Sequence, residues 1–154
     1  MANQIFDHAI GRWVEKFMLP IGGDNIMVLL LKAAGLQADS AINNHATVAA
    51  LLAANAVADF TNYAPKVLSS ADITRVVDTG TGITTIDVAD QTWASAGGAV
   101  NNSLGALITA YRPTSSSPTS DWLPLTKHDY LQTSTGLNLL ATIPSIGTGR
   151  WSAS

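Results

Sequence analysis

Three histidines, two closely spaced aspartates and one histidine–aspartate pair are the residues of this chain with the means to do chemistry. The histidines are His8, His45 and His128. None stands in a HxH or HxxxH relation to another, so the spacing that builds a zinc site on one element is missing. Asp87 and Asp90 lie three apart, ahead of Trp93. Two carboxylates could hold Ca²⁺ or divide acid and base work between them. Ca²⁺, however, asks for about six to eight oxygens, and no EF-hand ladder surrounds this pair. The expectation is that both aspartates make turn and edge hydrogen bonds at a strand end. His128 and Asp129 sit in a serine-rich chain, which invites a triad reading. No Gly-x-Ser-x-Gly elbow accompanies them, and the serines cluster where the composition is simple. The glycine pairs Gly22-Gly23 and Gly97-Gly98 lack the lysine and the spacing of a phosphate loop. The residues therefore predict no catalytic site, no cofactor and no bound metal. Trp13, Trp93, Trp122 and Trp151 are spread along the chain. Exposed, they could stack on sugar rings; more often such rings fill cores and interfaces.

Composition narrows the classes further. The chain has 154 residues, enough for one domain with a sizeable core. Hydrophobic residues make up 47%, but charged residues only 12%, about half the usual share. Glu15 is the one glutamate, and solvated helices are usually studded with Glu and Lys. Little exposed helix is expected. A surface this poor in charge favours association with other subunits over life as a monomer with a neutral coat. The formal net charge is −3, with no basic patch to meet nucleic acid. Cysteine is absent, so neither a disulfide framework nor a thiolate site exists; that suits assembly in a reducing cytoplasm. Asp7 and His8 interrupt the start, which does not read as a signal peptide. The longest apolar run, Ile26–Leu31, is too short to span a bilayer.

The elements follow from pattern. Residues 1–23 read as an N-terminal arm carrying Ile5, Phe6, Ile10, Trp13, Val14, Phe17 and Met18, with a short helix over Asp7–Phe17 ended by Pro20 and the glycine pair. Residues 24–154 read as a single β-sandwich domain. Ile26–Leu31 is a buried strand. The best helix lies within Asp39–Phe60, with Asn44 as its N-cap and Val48, Leu51, Leu52 and Asn55 on one face. Ile73–Val77 is a strand, turned by Asp78-Thr-Gly-Thr-Gly82. The run Ile83–Tyr111 reads as the central antiparallel strand pair, its two arms joined by a wide loop through Gly97-Gly98 and Asn101-Asn102. Arg112–Ser120 is a polar loop expected to be mobile. Pro124 makes Trp122–Thr126 an edge or bulged strand. Further strands are expected at Leu137–Ile143 and Gly149–Trp151. The fold class predicted is mainly β: an antiparallel β-sandwich, jelly-roll-like, with one inserted α-helix and an N-terminal arm.

The arm has two readings. Its large side chains either complete this chain's own core or reach a neighbouring subunit. We expect Trp13 and Phe17 to anchor it on its own fold and the remainder to join an interface, so Ile5, Phe6, Trp13 and Phe17 are the candidate interface residues.

The words Asp87-Val-Ala-Asp-Gln-Thr-Trp93, Ala96-Gly-Gly-Ala99 and Leu104-Gly-Ala-Leu-Ile-Thr-Ala-Tyr111 are followed by the Ser/Thr-rich loop and a late strand. With the opening Met1–Phe6 and the Asn44–Ala54 helix, they resemble small virion proteins of tailed bacteriophages. The resemblance implies a non-enzymatic structural protein of the particle, one that decorates or cements the capsid shell. It implies the major capsid protein and further copies of itself as partners, without nucleic acid or membrane. It also implies a place in the virion after assembly in the host cytoplasm. A tail, connector or fibre component, binding host-surface glycans, is the alternative.

Overall fold

The computed structural model describes residues 3–18, 23–80, 83–97, 101–144 and 146–148. Along them run β1 (Gln4–Ile5), α1 (Trp13–Met18), β2 (Asn25–Lys32), α2 (Asp39–Asn43), α3 (Val48–Ala54), β3 (Lys66–Leu68) and β4 (Ile73–Asp78). Then come β5 (Ile83–Val88), β6 (Gln91–Trp93), β7 (Leu104–Arg112), β8 (Leu123–Asp129), β9 (Leu139–Ala141) and β10 (Ile146–Thr148). The chain is mainly β and sandwich-like, with every strand pair antiparallel.

A five-stranded sheet in the order β1-β8-β7-β2-β3 holds the core. Burial is unbroken from Ile26 to Leu31 and from Leu104 to Ala110, so both faces of this sheet are covered. That is why the two runs read as continuously apolar rather than alternating. β7 does lie at the centre, but its neighbours are β2 and β8. The expected pairing of the Ile83–Trp93 arm with Leu104–Tyr111 is therefore corrected. β5 belongs to a separate sheet, β10-β5-β4, and β6 pairs with β9. Among the described residues the strands divide five, three and two, a sandwich-like arrangement that does not establish the expected jelly roll.

Pro124 acts as expected. Thr109 faces Thr126 and Ala110 faces Pro124, so Leu125 is extra on β8 and the register shifts there. The single helix expected over Asp39–Phe60 is two. Asn44 closes α2, and Thr47 starts α3, its Oγ1 accepting from the Ala50 N–H at 3.2 Å. α3 ends at Asn55, whose side chain is buried, taking the Gln37 N–H and donating to the Leu51 carbonyl. With α1, that makes three α-helices among the described residues, where the pattern predicts one inserted helix and a short one in the arm.

The Arg112–Ser120 segment, expected to be mobile, is tied down. Ser117 Oγ donates to the Thr114 carbonyl, and Trp122 Nε1 donates to the Ser117 carbonyl at 2.8 Å. A 3-10 turn at Thr119–Asp121 follows and packs near α3. Gly149–Trp151, expected as a strand, lies outside the described residues; β10 ends just before it.

Candidate functional site

The N-terminal segment is built into the fold. β1 pairs with β8 through Gln4↔Lys127 and Ile5↔Thr126. Phe6 follows and is fully buried, in a 3-10 turn over Asp7–Ala9 rather than one helix through Phe17. Phe17, on α1, is buried as well. Of the four candidate interface residues, Phe6 and Phe17 thus lie in this chain's own core, and Ile5 packs half-buried against it. The side chain of Trp13 lies outside the described set. Among the segment's described side chains, Ile10 is a large apolar one left in solvent, 64% exposed.

The residues singled out for chemistry are not assembled. Among the described residues, no three of His, Asp and Glu gather closely enough to hold a metal ion. His8 is exposed, and His45 Nε2 meets Gln37 Oε1 at 2.8 Å. His128 and Asp129 are successive residues of β8, so their side chains leave opposite faces of the sheet. His128 is buried, with Nε2 3.0 Å from Thr126 Oγ1 and Nδ1 without a partner. Burial, and then the Lys127 ammonium, push its pKa down to about 4. Asp129 instead bonds the fully buried Lys127 ammonium, which also reaches Asp39 Oδ1 at 3.0 Å. This ion cluster joins α2 to the sheet. Asp90 accepts from the Ile143 N–H at 3.2 Å, the strand-end role read from sequence. Trp93 is a core residue: it stacks on Tyr63 at 6.3 Å, and its Nε1 donates to the Ala64 carbonyl.

A second polar cluster closes the C-terminal end of β2. Lys32 Nζ lies 2.7 Å from Asp59 Oδ1, and Asn102 donates to the same carboxylate while accepting the Asp59 N–H. The hydrogen bond to the ammonium, then that from Asn102, hold the Asp59 carboxyl below its ordinary range. Asn102 N–H also donates to Ser134 Oγ, so three loops meet at one asparagine.

Two exposed surfaces stand out among the described residues. The first is the β4–β5 hairpin. β4 is the outer strand of its sheet, and every residue from Thr74 to Gly80 is exposed. The register Thr74↔Asp87 and Val76↔Thr85 puts Thr74, Val76, Asp78, Thr85 and Asp87 on one face. Ile86 and Val88 are buried, so that face is the outward one. It presents a valine flanked by two carboxylates. The second is a cleft of about 270 Å³ lined by Arg12, Lys16, Thr47, Tyr111, Asp121 and Trp122, among others. Lys16 Nζ sits 4.8 Å from the Tyr111 ring centre, and the Arg112 guanidinium 5.6 Å from that of Trp122. Tyr111 donates to Asp24 at 2.6 Å; burial, then that carboxylate, push its pKa up to about 12, so it stays a neutral phenol.

Neither surface was marked by sequence reasoning. The cleft's residues are dispersed, and the hairpin was read as ordinary sheet. The adjacent Val76-Val77 in a strand ending at a glycine-rich turn was the available signal. No helix among the described residues is long and apolar enough to cross a membrane. Comparisons with family models, with curated proteins and with solved structures find no match for this chain.

Proposed function

We propose that this chain is a non-enzymatic structural subunit of a bacteriophage particle. It decorates or cements the capsid shell through contacts with its own copies and with the major capsid protein. The observation that carries the reading is β4. It is an edge strand six residues long, exposed along both faces, with Val76 57% and Val77 47% accessible. Proteins that live alone shorten, charge or cover such edges, because the unpaired strand invites another chain. Here Arg75 and Asp78 are the only charges on the strand. The resemblance of the Asp87–Trp93 and Leu104–Tyr111 words to small virion proteins supplies the particle, and the 12% charged content suits a surface that meets protein.

The test is gold labelling of intact particles with an antibody to the purified chain. Label spread over the head supports the proposal. Label confined to the tail or its tip replaces it with a tail or fibre component. Particles with neither label nor the chain's peptides by mass spectrometry refute it.

A further inference from the structure

We propose that Lys127 and Asp39 condense into an intramolecular isopeptide bond, with Asp129 carrying the proton. The link ties α2 to β8 covalently, whatever particle the chain serves.

The geometry is that of a reactant pair held away from water. Lys127 lies on β8 between Gln4 of β1 and Ile108 of β7 in register, and its side chain is fully buried. Its Nζ sits 3.0 Å from Asp39 Oδ1 and also bonds the Asp129 carboxylate. A short turn of the Asp39 carboxyl puts its Cγ within the near-attack range of about 3–3.5 Å. Both acidic residues are tied at the backbone. Gln4 Nε2 donates to the Asp39 carbonyl at 3.0 Å, and the Asp129 N–H donates to Asn3 Oδ1 at 2.9 Å. Groups oriented in this way react with effective concentrations of about 10⁵ M or more, which offsets the preference of free amines and acids to stay apart in water.

Burial favours product over reactants. An ammonium and a carboxylate are costly to bury even as a pair, whereas an amide is neutral and needs only hydrogen bonds. Asp129 keeps 29% side-chain exposure, so it can hold its charge at the edge and accept the new amide N–H. Asp129 also shares its strand with Lys127, so a link to it would fold the lysine stem back along its own backbone. Asp39 reaches the amine from another element, 88 positions away.

The step balances without a co-reactant. The Lys127 ammonium gives one proton to the Asp129 carboxylate, and the freed amine lone pair attacks Asp39 Cγ. Asp129 passes that proton to one Asp39 oxygen, then takes a second from the newly bonded nitrogen and delivers it to the same oxygen. The C–O bond breaks, water leaves, and Asp129 ends as the carboxylate it began as. One amide and one water replace one ammonium and one carboxylate. Burial is the larger cause of the low His128 pKa, so its direction survives the loss of the ammonium.

The test is the intact mass of the denatured full chain. It is expected one water below the sequence mass. A tryptic digest is expected to show no cleavage at Lys127 and a branched peptide joining it to Asp39. Lys127→Arg keeps the cation but has no amine to condense, and should run at its full sequence mass. Asp129→Asn cannot carry the proton, and should accumulate the link roughly a hundredfold more slowly, read as mass against time after expression. Circular dichroism confirms that each variant is folded. Should either fail to fold, the wild-type mass and the branched peptide decide alone. A wild type that stays at its full sequence mass overturns the inference, as does a link at Asp129 in place of Asp39. So does Asp129→Asn linking as fast as wild type. A water loss that hydroxylamine reverses marks a succinimide at an aspartate and overturns it too. None of these readings depends on where label falls on a phage particle, so the cross-link and the proposed function fail separately.

Discussion

His128 should make this fold acid-sensitive well above the range where its carboxylates titrate. Its imidazole is 5% exposed, opposite Leu107 on β7, with Thr126 as its only hydrogen-bond partner. Lys127 and Asp129 are the nearest charges, and they act in opposite directions. Burial lowers the pKa from 6.5 to about 4. The unfolded chain therefore binds a proton between those values that the folded chain refuses, and stability rises with pH across that window. The contribution is complete above 6.5 and is lost as pH falls toward 4. Linkage between 6.5 and about 4 puts the loss at about 2 kcal/mol by pH 5 and ~3 kcal/mol in full. Asp59 has its carboxyl held below 3.8, so its own loss falls beneath this window. The assay is urea unfolding at pH 7, 6, 5 and 4.5, on wild type and on His128→Gln. The glutamine keeps a polar group near Thr126 but cannot titrate, and Thr109 Oγ1 at 2.6 Å still satisfies Thr126. The wild type should lose midpoint steadily below pH 6.5, while the variant stays nearly flat to pH 5. Parallel curves for the two proteins would refute the reasoning.

Three further outcomes are expected. Gly97→Ala should cost roughly 2–4 kcal/mol by thermal or urea unfolding, because φ is +148° and an added Cβ would lie 2.3 Å from the Gly136 nitrogen. Asn102→Ala should cost roughly 2 kcal/mol, since it strips the Asp59 N–H of its acceptor and the Lys32–Asp59 pair of a donor; hydrogen exchange should rise first at Asp59. Removing residues 1–20 should leave a chain without a cooperative melt by circular dichroism. Phe6 and Phe17 are each worth about 3–5 kcal/mol as buried side chains, which together rival the stability of a typical domain.

What the sequence carried plainly were strands whose identity is local. Ile26–Leu31 is continuous and apolar because both faces of β2 are covered, and the glycines of Asp78-Thr-Gly-Thr-Gly82 mark in sequence the connection between β4 and β5, which pair. Pairing is not local. Leu104–Tyr111 could have met the strand before it; it met β2 instead, whose six successive buried residues Ile26–Leu31 match a run buried on both sides, whereas Thr- and Asp-bearing Ile83–Val88 alternates. Helix boundaries failed for a similar reason. Asn44 and Thr47 are both good caps, and only the packing of Ile42 and Val48 into the core decides that the chain breaks between them. Lys127 could not be recognised as buried, since what permits it is Asp39, 88 positions away.

The apolar weight of the N-terminus was the obvious sign of a subunit contact, and the fold places Phe6 and Phe17 inside. Among the described residues, apolar side chains left in solvent include Val76 and Val77 of β4, besides Ile10, Val67, Leu131, Leu137 and Leu140. Val76 and Val77 are adjacent, so they point to opposite faces of one strand. In an ordinary edge strand one of such a pair packs inward and the other faces water. Here both are about half exposed, so the inner face of the hairpin, closed over Ile86 and Val88, is left open at Val77 by this chain's described residues. A strand open along its edge and both faces gains little from folding alone. Its residues have nonetheless kept strand-forming types, Ile73, Thr74, Val76 and Val77, in place of the Lys and Pro that would blunt it. That combination is the observation on which the proposed subunit contact rests, and particles lacking the chain would leave it without a partner.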